Sequence, residues 1–239
     1  MTTPYTPQFH AGIAPGSRRS ALRVLPIVFE MAPHESVVDV GCGTGAWLNA
    51  ALQLGAAEVA GVDGDYVDRT QLEIPDACFV PSDLATTTIE RLRQHPAIGS
   101  RTFDLCMSME VAEHLPPQAA AGFVDLLCSL APVVVFSAAI PFQGGTDHLN
   151  EQFPSYWVPH FARNGLLPFD VVRPRIWEDT NVEWWYRQNT LVFARQTAVP
   201  SGLKPGGAGR GTLDVVHPEQ YQRVVTWGSD LWRQVHGRR

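Results

Sequence analysis

The stretch Val37-Val38-Asp39-Val40-Gly41-Cys42-Gly43-Thr44-Gly45 decides how the rest of the chain is read. Val37 to Val40 is a short apolar run with one acid in it, the pattern of a buried strand. Three glycines at alternate positions follow at once, and a helical pattern opens behind them. Glycine lets the backbone turn sharply and lets a ligand come into contact with the main chain. The amides at the start of the new helix then face that ligand. Strand, glycine loop and helix in this order make a cradle for a cofactor.

Outward from the loop, strand-like and helix-like runs alternate. Before it, residues 1–16 are rich in Pro and Gly and read as an irregular arm, in which Tyr5, Phe9 and His10 would suit closure over a substrate. From Ser17 a helix pattern carries Leu22, Leu25 and Phe29, with Pro26 as a kink. After the loop, Trp47, Leu48, Ala51 and Leu52 line a helix that stops at Gly55. Glu58–Asp63, Ala77–Pro81, Thr102–Met107 and Pro132–Ala139 are the next strand-like runs. Thr86–Gln94 looks helical and polar, and a helix starting near Pro117 carries Phe123, Leu126, Leu127 and Leu130. Such alternation calls for a mostly parallel sheet with helices on both faces, an α/β doubly wound architecture. Ligands on such sheets bind beyond the carboxyl ends of the strands.

Past the fifth strand the rhythm changes. Phe142–Gln152 is a polar loop, and Pro154–Asn164 is a helix closed by Gly165. Two long strand-like runs are expected at Leu167–Trp177 and Tyr186–Ala194, joined by an acidic, aromatic link in which extended Trp184 and Trp185 point to opposite sides. Arg187-Gln188-Asn189 opens the last strand. A Gly/Pro linker follows at 198–211, then a terminal helix over Thr212–His236 with Leu213, Tyr221, Val224, Val225 and Trp232. The domain reading is an arm and helix at 1–35, the cofactor domain at 36–196, and a linker with a C-terminal helix at 197–239.

A length of 239 residues and 45% hydrophobic content suit one domain with modest additions. With 24 acidic against 18 basic residues, net −6, a broad phosphate-binding face is disfavoured, and nucleic acid is not the expected partner. Cys42, Cys78, Cys106 and Cys128 never form CxxC and read as reduced core residues of an intracellular protein. No apolar run reaches membrane-spanning length and no signal-peptide pattern opens the chain, so no membrane partner and a cytoplasmic location are expected. Oligomeric state stays open.

The loop itself admits two parses. Gly41 to Ala46 reads as GxGxxA, the nicotinamide fingerprint, with Asp63 about 20 residues on as the ribose acid. It also reads as DxGxGxG from Asp39 to Gly45. The second parse is favoured by Asp39, which would set a carboxylate near a cationic group. Asp83, at the tip of the third strand, would meet an adenine amino group, and an acid–histidine cluster follows the fourth strand. Glu110-x-x-Glu113-His114, if helical, shares one face, and His148 in the loop after the fifth strand can reach the same cleft. Two carboxylates and imidazoles converging there suit a divalent cation. His148 is the candidate general base, oriented by Asp147 or Glu151, with His114 as its alternate.

VVDVGCGTG (37–45), GVD (61–63), SDL (82–84) and FDLCMSMEVAEHL (103–115), in this order at strand ends, resemble the class I S-adenosylmethionine-dependent methyltransferases. The resemblance covers roughly Ser36 to Ala194. It implies a Rossmann-like seven-stranded sheet with an antiparallel last strand. It also implies that Gly41, Cys42, Gly43 and Gly45 flank the methionine part of S-adenosyl-L-methionine, with Asp39 near its amino group. Asp63 would hold both ribose hydroxyls, Asp83 and Leu84 would meet adenine, and Met109 and Glu110 would line the far side. The ExxEH run looks like the metal site of small-RNA 2′-O-methyltransferases and of ubiquinone-pathway O-methyltransferases. That implies Glu110, Glu113, His114 and His148 as ligands of a cation such as Mg2+. The expected activity is methyl transfer to a small-molecule hydroxyl. Rival readings are a metal-dependent RNA 3′-end 2′-O-methyltransferase, an NAD(P)-dependent oxidoreductase on the GxGxxA parse, and a cofactor-binding protein without catalysis.

Overall fold

Runs of valine build the centre of the molecule. β-Branched residues suit a pleated surface buried on both sides, and Val37, Val38, Val40, Val133, Val134 and Val135 are all fully buried. The computed structural model describes residues 7–206 and 213–236, with side chains over 14–206 and 213–229. The elements run α1 (Pro7–Phe29), β1 (Ser36–Val40), α2 (Ala46–Gln53), β2 (Glu58–Asp63), β3 (Phe79–Pro81), α3 (Ile89–Leu92), β4 (Leu105–Met109), α4 (Ala120–Leu130) and β5 (Val133–Ser137). They continue with α5 (Pro154–Ala162), β6 (Leu167–Phe169), α6 (Arg173–Ile176), α7 (Trp184–Asn189), β7 (Leu191–Ala194) and α8 (Pro218–His236).

The strands form one seven-stranded sheet in the order β3-β2-β1-β4-β5-β7-β6. β1 pairs in parallel with β2 and with β4, Asp39 lying between Gly61 and Met107. β7 runs antiparallel to both β5 and β6. The order reverses direction between β1 and β4, and at such a switch the strand tips diverge and open a crevice. Alternate residues feed the two faces. Val37, Leu105 and Val135 pack with α1 and α2, while Val38, Val40, Cys106 and Val134 pack with α4 and α5. Phe123, Val124, Leu126, Leu127 and Leu130 of α4 are all buried, each such side chain being worth about 1.5–3 kcal/mol by area. Among the described residues no helix is long and apolar enough to cross a membrane, and all four cysteines are free, three of them buried.

Three expectations are corrected. The arm expected over residues 1–16 is helical from Pro7 onward, and α1 runs through Pro15 and Pro26. Burial of Ala21, Val24, Leu25 and Val28 against α2 outweighs the two prolines. The arm's Tyr5, and the side chains of Phe9 and His10, lie outside the described residues, as do residues 207–212 of the Gly/Pro linker and the side chain of Trp232. The two long closing strands shrink to three and four residues. In their place stand α6 and α7, so that Trp184 and Trp185 lie on a helix and Arg187-Gln188-Asn189 ends one rather than opening a strand. Thr86–Gln94 keeps only the four helical residues of α3, capped by Thr88.

A candidate cofactor and acceptor site at the strand tips

The glycine loop is hooked onto the neighbouring strand. Gly41 N and Cys42 N both donate to Val62 O, at 2.7 and 3.2 Å. Gly41, Gly43 and Gly45 all have positive φ, which other residues adopt at a cost of about 1–2 kcal/mol. Gly41 is further constrained, because a Cβ there would lie 2.2 Å from Val111 Cγ2. Two loop amides are used internally, Gly45 N on Cys42 O at 2.8 Å and Gly43 N on Asp63 Oδ2 at 2.7 Å. Cys42 is buried and lines the cavity, and burial pushes its thiol well up.

Asp63 ends β2 inside this arrangement. Its Oδ1 accepts from Gly64 N at 2.6 Å and from the Tyr66 hydroxyl at 2.7 Å. The carboxylate is 5% exposed and lines the cavity, fixed from two sides with lone pairs left over. Asp39 behaves differently from expectation. It lies on the sheet face of Val37, outside the cavity lining, and its Oδ1 has no partner among the described residues. Burial pushes its carboxyl well above the usual range, and the charge of Asp63 adds to this. A role beside a ligand amino group is therefore not supported for Asp39. Asp83 is exposed and shapes its own turn, accepting from Ala85 N at 3.0 Å and Thr86 Oγ1 at 2.9 Å. Asp83 and Leu84 both line the cavity.

On the far side Met109 ends β4 and Glu110 turns left-handed at φ 58°. The shared helical face expected for Glu110, Glu113 and His114 does not form: Ala112–His114 is a single 3-10 turn behind the kink at Glu110. Glu110 Oε1 accepts from Asn189 Nδ2 at 3.1 Å and Oε2 from Gln143 Nε2 at 2.6 Å, while Asn189 also donates to Gln143 Oε1 at 2.8 Å. The cluster with donor atoms within 4.8 Å of one another is Glu113, His114 and His148, without Glu110.

Within that cluster Glu113 is fully buried, and neither carboxylate oxygen makes a well-formed hydrogen bond among the described residues. The amides of Glu113 and Ala139 stand near enough only to ease its charge; burial, then Glu110, push its carboxyl well up. His114 packs edge-on to His148 at 4.8 Å between ring centroids. Burial and the neighbouring imidazole lower His114 to about 4, so it is neutral at physiological pH. His148 Nδ1 stands 2.8 Å from Glu151 Oε1, and Glu151 is itself held by the amides of Phe142 and Gly144 at 2.8 and 3.0 Å. Leu149 N and Asn150 N donate to Glu113 O at 2.8 and 2.9 Å, which pins the histidine loop to the 3-10 turn. Of the two acids expected to orient His148, Glu151 does so.

One cavity of about 1190 Å³ joins these parts, from Asp83 and Leu84 past Gly41–Thr44 and Asp63 to Glu110, Glu113, His114 and His148. Its carboxylates, Asp63, Asp65, Asp83, Glu110 and Glu113, suit a ligand carrying positive charge. Several lining residues escaped the sequence reading. Tyr66, three residues beyond Asp63, and Trp47, the second residue of α2, were within reach of it. Ser17 of α1 and Arg223 of α8 were not, since only folding brings them to the strand tips. Tyr186 meets the Trp47 ring at 5.1 Å and shares a 3.2 Å hydrogen bond with Ser17 Oγ.

The model of a methyltransferase domain family matches residues 17–189. Among solved structures, the sugar N-methyltransferase KedS8 from Streptoalloteichus sp. ATCC 53650 superposes with a TM-score of 0.57 at 16% identity, over 79% of this chain and 91% of that one. An O-methyltransferase family protein from Burkholderia thailandensis superposes at 0.54 and 10% identity, over 78% of this chain and 58% of that one. A SAM-dependent methyltransferase from Archaeoglobus fulgidus reaches 0.51 at 20% identity, over 66% and 73%. This chain thus spans little more than half the length of the Burkholderia protein. At these identities the likeness is one of fold. No curated protein sequence matches the chain.

Proposed function

We infer that this chain, which belongs to the class I S-adenosylmethionine-dependent methyltransferases, methylates a hydroxyl group of a small molecule. Membership removes the nicotinamide parse of the glycine loop, which needs a different family. It makes the chain a transferase that uses S-adenosylmethionine. The fold does not choose between oxygen and nitrogen acceptors, since the superposed proteins include a sugar N-methyltransferase and an O-methyltransferase family protein.

The observation that carries the hydroxyl reading is the His148–Glu151 pair at 2.8 Å. A hydroxyl is a weak nucleophile unless its proton is taken as it attacks, whereas a neutral amine attacks without prior loss of a proton. Glu151, accepting Nδ1–H, holds the tautomer whose Nε2 takes a proton. His148 lines the cavity next to Glu110 and Glu113. When bound, S-adenosylmethionine supplies an electrophilic methyl on a sulfonium. The chain's part is to hold donor and acceptor in line. In this reading Gly41–Thr44 and Asp63 hold the methionine and ribose portions, Leu84 packs on the adenine, and Asn189 and Gln143 fix the Glu110 carboxylate at the reacting end.

A second reading adds a divalent cation on Glu113, His114 and His148. It is favoured by the two Glu113 oxygens, which make no well-formed hydrogen bond among the described residues, and by the neutral His114 imidazole, a set that fits a metal ion. Two imidazoles and one carboxylate match Mn, Fe or Zn better than Mg2+, which prefers oxygen ligands. Such an ion would lower the pKa of an acceptor hydroxyl. A small acceptor is preferred over RNA because Arg18, Arg19, Arg23, Arg101 and Arg175 are all spent in ion pairs with acids. The deciding experiment incubates the protein with a cell extract and methyl-labelled S-adenosylmethionine, then locates the label in the product by NMR. Label on oxygen of a small metabolite is the expected result; label on nitrogen, or on RNA, overturns the reading.

A further inference from the structure

The cavity is also lined by a second set of residues that the chemistry above leaves unused. Trp184 and Trp185 of α7 line it, with rings 5.6 Å apart and nearly perpendicular. Trp184 is buried, and its indole N–H has no partner among the described residues. The Arg223 guanidinium of α8 lies 5.3 Å from the Trp184 ring centroid and also lines the cavity. No carboxylate among the described residues pairs with Arg223, although nine other arginines among them are paired with acids.

Arg223 is itself exposed, but it grows from a helix that is fixed in place. The first turn of α8 is docked onto α7 through buried polar groups. Gln220 Oε1 accepts from Gln188 Nε2 at 2.6 Å, His217 N donates to Gln188 Oε1 at 2.7 Å, and Arg187 Nη2 meets Glu219 Oε1 at 2.6 Å. Arg223 follows Gln220 and Glu219 at i+3 and i+4, so it rises from the docked face by one helical turn. A guanidinium held over an indole face at cation–π distance keeps its N–H fork available for a planar oxyanion. In a cavity with five acidic lining residues, that fork is the cationic group at the α7–α8 side. The other lining arginine, Arg91, belongs to α3 beside Asp83 and Leu84.

We propose that Arg223 and Trp184 form the acceptor-specificity subsite, selecting a flat hydroxy compound that carries an oxyanion, carboxylate or phosphate. The inference rests on the methyltransferase reading of the same cavity. The ring body packs on the indoles, the oxyanion takes the Arg223 fork, and the hydroxyl is left toward His148.

The test is a titration of the full chain, saturated with S-adenosylhomocysteine, by three probes: 4-hydroxybenzoate, 4-hydroxybenzamide and 4-hydroxyphenyl phosphate. The benzoate or the phosphate, whichever oxyanion the subsite takes, binds at least tenfold more tightly than the amide. Arg223→Gln removes that preference, weakening the anion by about 10- to 100-fold, the worth of one charged hydrogen-bonding partner. Benzoate against phosphate tells which oxyanion is used. Equal binding of amide and anions, no binding of any probe, or an anion preference that survives Arg223→Gln overturns the proposal. Affinity for S-adenosylhomocysteine is measured alongside. Its absence in the unaltered protein would instead sink the cofactor reading.

Discussion

At Gly41 two physical demands coincide: φ is 90°, and the space where a Cβ would sit is already taken by Val111 Cγ2 at 2.2 Å. Gly41→Ala should therefore cost about 2 kcal/mol or more from backbone strain and crowding together and abolish S-adenosylhomocysteine binding in calorimetry. Adding Val111→Ala should recover part of the melting temperature, since it relieves the crowding and leaves the strain. His148→Ala removes only the proton acceptor, so kcat should fall by about 10²–10⁴ with cofactor affinity kept; an unchanged kcat would end its role as base. Asp39 is a different kind of residue, a carboxyl whose folded-state pKa burial has raised. Between the ordinary carboxylate range and that raised value the folded state holds a proton that the unfolded chain has lost. Stability therefore falls as pH rises through this window. Asp39→Asn cannot titrate, so thermal melts from pH 4.5 to 8 should show a shallower decline than the unaltered chain; parallel curves would contradict the assignment.

Among the elements, α7 and α8 carry the most consequence for the site. The short helix α7 brings Trp184, Trp185 and Tyr186 to the cavity and Asn189 to Glu110, and α8 is fastened to it. Arg187 is the main fastener, 5% exposed, with Nη1 on Trp177 O at 3.1 Å and Nη2 on Glu219. Its partner Glu219 is 42% exposed in its side chain, so solvent takes up part of the loss when the pair is broken. Arg187→Ala should cost about 2 kcal/mol, read as a drop in melting temperature, and should loosen acceptor binding more than cofactor binding. Equal loss of both would show that α8 has no special part in the acceptor side. The α1 helix is also tied across the site, by Arg18 to Glu73, Arg19 to Glu183 and Arg23 to Asp179. Each such exposed pair is worth at most about 1 kcal/mol.

For the molecule as a whole, the switch in strand order between β1 and β4 places every candidate group at one sheet edge. The loops after β1, β2, β3, β4 and β5 all end in the same cavity. Whether that cavity uses a cation is a property of the assembled site, because Glu113, His114 and His148 come from two separate loops. Exhaustive chelation separates the two readings. A required cation predicts at least a tenfold loss of activity, regained with Mn2+, whereas the His148–Glu151 base alone predicts no change.

Much of this was legible in the chain itself, for a local reason. Glycine at positive φ, valine runs and strand-end acids are properties of neighbours in sequence, so the loop at 41–45, Asp63 at its strand tip and the succession of the first five strands along the chain could all be read in advance. The failures share the opposite cause. Pro15 and Pro26 argue against a long α1, yet packing on α2 overrides them. The aromatic, β-branched run after Gly165 suggests strands, yet docking against β5 and α8 makes α7 a helix. Asp39 has the right place in the motif, but its carboxyl is buried and is not among the groups that line the cavity. Glu110 leaves the Glu113–His114–His148 cluster because a left-handed turn and the amides of Gln143 and Asn189 claim it. Sequence spacing determines which residues sit at strand ends. Which of them face one another is set by side-chain burial and hydrogen-bond closure between segments as much as 169 residues apart, and those terms exist only once the sheet has formed.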